Sequence, residues 1–152
     1  MSTKIGLWLE NFPNLALEAR SPDIGEFTRL FCYIRFKTHN GWSDSLQAIV
    51  DTGAPVSLIP LDVWSEAETE VLTDFEIGGI NPRQECTLPV LVGKIKCMIV
   101  DENKNQSKEL EIFSYFATTN KVPLLIGFKN LLCEFKMNIN PHGECYLLQI
   151  ED

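Results

Sequence analysis

The sequence around Asp51 places one carboxylate between two β-prone runs. Leu46 to Val50 has the composition of a buried strand, and Thr52 and Gly53 follow Asp51 as residues suited to a tight turn. A second run, Val56 to Ile59, leaves the turn. The pattern predicts a corner that presents the Asp51 side chain. A corner without function has the same local pattern, and Asp-Thr-Gly occurs by chance in about 3 of 100 chains of this length.

A second segment has its own distinctive pattern later in the chain. Val122 to Ile126 is an apolar run that predicts a strand, and it ends at Gly127. From Phe128 to Phe135, apolar residues recur at helical spacing. We therefore expect a strand, a glycine turn and a short helix in that order.

Together the two segments resemble the signatures of the retropepsin-like aspartic proteases, in a cellular, microbial form of that family. The family's active-site loop corresponds to Asp51, Thr52, Gly53 and Ala54. Its second signature, two apolar residues and a glycine that close a loop beside the catalytic turn, corresponds to Leu125, Ile126 and Gly127. The order and interval of the segments suit one lobe of such an enzyme. Because the chain contains one Asp-Thr-Gly, the resemblance implies a two-fold homodimer with Asp51 of each subunit in one site.

The resemblance implies an endopeptidase that cleaves a peptide or protein substrate without a cofactor or a metal. Two carboxylates about 3 Å apart cannot both ionise, so the pair holds one proton and provides both an acid and a base. Thr52 would send its hydroxyl across the two-fold axis, and Gly53 would let substrate approach Asp51. Ordinary turn chemistry is the alternative explanation for Thr52, Gly53 and Gly127.

A substrate-covering flap is expected over residues 77 to 84, where Gly78, Gly79 and Ile80 resemble the glycine-rich flap of retroviral enzymes. Glycines at a hairpin tip also need no function, and this segment is several residues shorter than a full retroviral flap. The resemblance further places Val56, Ile80 and Leu124 in the walls of an apolar substrate pocket. The alternative for all three is an ordinary core position.

The chain departs from the retroviral pattern at three sites. Acidic residues usually follow the catalytic turn, and an arginine usually follows the second glycine, whereas Pro55, Val56 and Phe128 occupy these sites here. Both halves of an ion pair are therefore replaced together, and we expect an apolar contact in its place.

The remaining sequence consists of short strands separated by turns, which predicts an all-β, closed, barrel-like domain with one or two short helices over residues 27 to 152. Residues 1 to 26 carry no clear period and form an N-terminal extension. A helical turn is expected within Leu61 to Glu68. Further strands are predicted at Leu30–Lys37, Thr73–Ile77, Thr87–Val92, Lys94–Val100, Leu110–Ala117, Lys136–Ile139 and Cys145–Ile150, with a hairpin turn at Asn40-Gly41.

Composition narrows the classes of partner and compartment. The net charge of -8 and pI near 4.8 argue against a nucleic-acid surface. Residues 1 to 14 are interrupted by Glu10 and Pro13, which predicts neither a signal peptide nor a membrane span. Five cysteines without paired spacing indicate a reducing cytoplasm and small buried side chains rather than disulfides. No His/Cys cluster predicts a metal site.

Two other classes of function stay open at the level of sequence. One is a peptide-binding or dimerisation module that kept the fold without cleavage, which the short flap favours. The other is an unrelated β-barrel with a coincidental Asp-Thr-Gly. A strictly monomeric protein would favour the second, because a lone carboxylate does not supply both protonation states.

Overall fold

The computed structural model describes residues 2–21, 23, 25–78 and 87–150, without the side chain of residue 150. The domain is all-β, as predicted. The described helices are α1 (Leu15–Arg20), α2 (Leu61–Trp64) and a 3-10 turn at Leu132–Glu134. The strands are β1 (Ser2–Pro13), β2 (Glu26–Thr38), β3 (Gly41–Trp42), β4 (Leu46–Val50), β5 (Ser57–Ile59), β6 (Thr69–Ile77), β7 (Leu88–Val100), β8 (Leu110–Ala117), β9 (Leu125–Ile126), β10 (Lys136–Asn138) and β11 (Cys145–Ile150).

The sheet closes on itself through the long strand β2. Its strand order is β10-β11-β1-β2-β4-β9-β5-β8-β7-β6, and β2 pairs with β7 as well. This additional pairing joins β2, β4, β9, β5, β8 and β7 into a ring, and it leaves β6 and β10 at the ends of the strand order. The closed arrangement agrees with the predicted class, although the ring is less regular than a simple barrel.

The core fills the ring with branched and aromatic side chains. Buried residues alternate along the strands, as Ile112, Ser114 and Phe116 show on β8. Each large apolar side chain that is fully buried contributes about 1.5–3 kcal/mol relative to exposure. The largest fully buried side chains are Phe36, Phe116, Ile5, Ile34, Ile59, Ile95, Ile99, Ile112, Ile126, Leu131, Leu147 and Val90.

The N-terminal residues, which have no clear sequence period, form a long strand that joins two parts of the sheet. Residues 2–7 of β1 pair with β11, and residues 8–13 pair with residues 26–31 of β2. We call this second pairing the β1–β2 arm. Helix α1 connects its two strands, and the Asn14 side chain caps that helix by accepting a hydrogen bond from Leu17 N.

Two predictions of local structure were wrong. Strand β7 runs through Gly93, where the sequence predicts a break between two strands; a Cβ at Gly93 would collide with the backbone of Glu70, so the glycine allows close packing against β6. The predicted helix over residues 128–135 is reduced to the 3-10 turn. The backbone of Asn130 lies in the left-handed region, with φ 60°, and interrupts a right-handed helix. The amides of Phe128 and Lys129 donate to the loop that follows Asp51.

The cysteines divide between the core and the surface. Cys32, Cys97 and Cys145 are buried, as predicted, whereas Cys133 is exposed, and Cys86 lies outside the described residues. Burial raises the pKa of Cys97 to about 12 and that of Cys32 further, so both remain protonated thiols at neutral pH. These two side chains are therefore packing groups rather than nucleophiles.

Asp101 connects β1 to the loop after β7. Its Oδ2 accepts hydrogen bonds from Gly6 N at 2.8 Å and Asn105 Nδ2 at 2.9 Å, and its Oδ1 accepts from Asn103 N and Asn105 N, both at 2.9 Å. Partial burial acts to raise the pKa of Asp101, but the hydrogen bonds outweigh it and lower that pKa.

We predict that Asp101→Ala lowers the free energy of unfolding by about 1–2 kcal/mol at neutral pH, because four donors lose a charged acceptor. The folded-state pKa is depressed, so this contribution is present above the unfolded value of about 3.9 and is lost as the pH falls through the folded value. Urea unfolding at several pH values measures it. Asp44→Ala, at an exposed aspartate, is the control; an equal loss in both variants would contradict the assignment.

Candidate active site

The two signature segments lie side by side in the ring. Strand β9 runs parallel to β4, with Ile49 opposite Leu125 and Val50 opposite Ile126. The amide of Asp51 continues this pairing by donating to the carbonyl of Ile126 at 3.0 Å. The start of the Asp51 turn is therefore positioned by the strand that carries the second signature.

The turn fixes one side of the Asp51 carboxylate. Gly53 N donates to Asp51 Oδ1 at 2.9 Å, and Ala54 N donates to the Asp51 carbonyl at 3.1 Å. Asp51 is half-buried, whereas Thr52 and Gly53 are exposed and Ala54 is half-buried. The arrangement presents one oriented carboxylate at the surface, with the exposed Thr52 beside it.

Gly127 allows the two segments to touch through their backbones. A Cβ at Gly127 would lie 2.5 Å from the carbonyl oxygen of Ala54 and 2.9 Å from the carbonyl carbon of Val56. Its amide donates to the buried Ser57 Oγ at 2.9 Å, and Phe128 N donates to the Ala54 carbonyl at 3.0 Å. The residue that follows Gly127 thus reinforces the same contact between the loops.

A groove of about 530 Å³ opens beside Asp51. Of the predicted site residues, Asp51, Thr52 and Leu125 line it. Leu124 is instead buried in the main core, and Val56 is half-buried outside the groove lining. The other lining residues are Leu9, Thr28, Arg29, Leu30, Ile49, Val50, Pro123 and Ile139.

The sequence did not indicate the groove wall formed by the β1–β2 arm. Leu9, Thr28 and Arg29 contribute to this wall from strands that join far from the Asp51 turn in sequence. Local periodicity carries no information about such a contact. The alternation of exposed and buried residues in the arm is also too weak to predict its neighbours.

The predicted flap follows strand β6, which pairs with β7 as far as Ile77. The last described pair of this β6–β7 hairpin, Ile77 opposite Leu88, packs against a small cluster that also contacts Leu125 in the groove wall. Gly78 is exposed, whereas Gly79 and Ile80 lie outside the described residues. The described part of the hairpin therefore approaches the Asp51 region from the side of Leu125.

Residues 2–21, 23, 25–78 and 87–150 contain no group of three or more His, Cys, Asp or Glu side chains placed to hold a metal ion. His39 is exposed, its Nδ1 lies 3.5 Å from Glu68 Oε1, and it does not line the groove beside Asp51. Within those same ranges, no helix is long and apolar enough to cross a membrane.

Among solved structures, the chain is similar to a retropepsin-like aspartic protease from Rickettsia conorii. The similarity has a TM-score of 0.47 and 13% sequence identity, and it covers 98% of this chain and 96% of the other. No protein-family model matches the chain, and no curated protein matches it in sequence. At this level the likeness assigns no activity, which must be argued from the site itself.

We predict that Gly127→Ala lowers the free energy of unfolding by about 3 kcal/mol, because the new methyl group meets backbone atoms of the Asp51 loop that have no alternative rotamer. Chemical denaturation measures the loss. Gly6→Ala is the matched control, since its Cβ would meet its nearest atom at an ordinary 3.6 Å. Equal stability of the two variants would contradict the close approach of the two loops.

Proposed function

We propose that this chain is an aspartic endopeptidase that acts as a homodimer, with Asp51 of each subunit forming one catalytic pair. The observation that carries the proposal is the position of Asp51. Its carboxylate stands at the tip of a turn that the Ile126 carbonyl and the Gly127 contact hold in place, and a groove opens beside it.

The chemistry follows from two such carboxylates that share one proton. The ionised carboxylate takes a proton from a water molecule, which attacks the carbonyl carbon of the peptide bond. The protonated carboxylate donates its proton toward the developing oxyanion, and a proton then passes to the leaving amine as the C–N bond breaks. Gly53 N, which bonds Asp51 Oδ1, keeps each carboxylate oriented through these steps.

The groove supports an extended and largely apolar peptide as substrate. Leu9, Ile49, Pro123, Leu125 and Ile139 provide apolar surface next to Asp51. An extended peptide satisfies its backbone groups by pairing as an added strand, and we expect the β6–β7 hairpin to cover it. The role of Val56, Leu124 and Ile80 as walls of the substrate pocket stays a prediction. Leu125, which lines the groove, is added to the proposed pocket.

The surface around the turn supports assembly of two copies. Thr52 is exposed and follows the acid directly, and Phe128 is 41% exposed on the loop bonded to Ala54. Pro55 and Val56 add apolar surface where retroviral enzymes carry acids. An apolar contact in this region replaces their ion pair. The odd number of cysteines supports a reducing compartment such as the cytoplasm.

We predict that Asp51→Asn lowers peptide cleavage by about 10²–10⁴-fold, because an amide supplies neither the base nor the shared proton. Cleavage of a peptide library between acid and neutral pH, with Asp44→Asn as control, measures the effect. Retained peptide binding by the inactive variant would identify Asp51 as catalytic. Binding by both proteins with no cleavage by the wild type would instead identify a peptide-binding module, the alternative that the short flap favours.

We predict that Thr52→Val weakens the dimer by about tenfold, because valine lacks the hydroxyl that would form a hydrogen bond across the two-fold axis. Thr52→Ser keeps the hydroxyl and should dimerise like the wild type. Sedimentation at several concentrations provides the dissociation constants. Identical constants for the valine and serine variants would exclude a role for the hydroxyl in assembly.

A further inference from the structure

One face of the β1–β2 arm carries a symmetric set of aromatic and charged side chains. Residues opposite each other in an antiparallel pair project to the same side, as do alternate residues along a strand. The register therefore places three cross-strand pairs on one face, with a charged pair between two aromatic pairs. We call this set the arm face; it comprises Trp8 opposite Phe31, Glu10 opposite Arg29, and Phe12 opposite Phe27.

The arm face is ordered but incompletely covered. The rings of Trp8 and Phe31 stack with centroids 5.8 Å apart, and those of Phe12 and Phe31 lie 5.6 Å apart. Phe12 nevertheless remains 36% exposed, and Phe27 remains 46% exposed. Large aromatic groups exposed next to one another are typical of surfaces that bind another molecule.

The charges at the centre of the arm face have no ion-pair partner in the described part of the chain. Glu10 Oε1 accepts a hydrogen bond from Trp8 Nε1 at 3.0 Å, and the Arg29 guanidinium lies 5.7 Å from the centre of the Phe12 ring. When two copies are related by a two-fold axis, the acid of each copy can face the base of the other. The face is therefore complementary to itself.

The arm face is continuous with the catalytic turn. Phe31 lies opposite Ile49 at the end of the antiparallel β2–β4 pairing. Arg29 precedes Phe31 by two residues, and Asp51 follows Ile49 by two residues, so both lie just beyond this pair. Both of these residues line the same groove. The arm face therefore adjoins an acid whose copy must approach within about 3 Å in the proposed dimer.

We propose that the arm face binds a second copy of this chain, with Glu10 of each subunit facing Arg29 of the other. This inference rests on the proposed function and adds the surface that brings the two Asp51 residues together. The occupant is a second copy because the face is self-complementary in charge, exposes aromatic surface, and adjoins a site that is incomplete in one chain. Each subunit thus contributes its arm as well as its acid.

The test uses two charge-reversal variants, alone and mixed. Glu10→Lys makes the centre of the face basic, and Arg29→Glu makes it acidic, so each variant repels its own copy. We expect each to raise the dimer dissociation constant at least about tenfold and to lose activity at dilution. An equimolar mixture should recover dimerisation, because opposite charges then face each other between subunits.

The mixture separates contacts between subunits from contacts within one. Like charges opposed inside one chain stay opposed in the mixture, so recovery requires pairing across the interface. Unchanged dimerisation of the single variants, or no recovery on mixing, would overturn the inference. The proposed function would still stand in that case if the wild type is an active dimer. A wild type that is monomeric at every concentration and inactive would refute both.

Circular dichroism shows whether each charge variant is folded. If either is not, Phe27→Ser decides, because Phe27 is already 46% exposed and the loss of its ring costs the fold less than the loss of a buried ring. We expect the dimer dissociation constant of this variant to rise about tenfold or more, with unchanged secondary structure. Wild-type affinity in this variant would overturn the inference.

Discussion

The site depends on the contact between the Asp51 turn and the strand that ends at Gly127. The Ile126 carbonyl accepts the Asp51 amide, and the Ala54 carbonyl lies so near Gly127 that a methyl group would not fit. Backbone contacts of this kind leave little freedom of position, since no side chain can rotate to relieve a change. They place one acid at a defined point, and a chemical role for that acid requires such definition.

The neighbouring strands of the ring hold the two segments of this contact in position. Strand β9 is two residues long and lies between β4 and β5, so neighbouring strands must hold it in register. Leu58 of β5 pairs with Leu125, and the same cluster supports the base of the β6–β7 hairpin. Leu125 in the groove wall and the described end of the β6–β7 hairpin therefore share one small set of apolar contacts.

The sequence predicted those features that local pattern determines. Strands such as Leu110–Ala117 and Leu46–Val50 were found at their observed bounds because alternation, apolar runs and turn residues are local signals. The prediction of a short helix after Gly127 was wrong because Asn130 takes a left-handed backbone conformation, with φ 60°, that interrupts a right-handed helix. The β1–β2 arm and its side of the groove were missed because long-range pairing decides them. The family resemblance identified Asp51 from the sequence. The position of Arg29 in the same groove depends on how β2 pairs with its neighbours, which the sequence did not indicate.

The central claim is that one active site needs Asp51 from two subunits, and subunit mixing tests it most directly. Wild type and Asp51→Asn are exchanged to equilibrium at a fixed total concentration above the dimer dissociation constant, and peptide cleavage is measured against the fraction of wild type. If both acids are required, activity follows the square of that fraction and falls to about one quarter in an equal mixture. A linear fall to about one half would show that each subunit acts alone and would contradict the account.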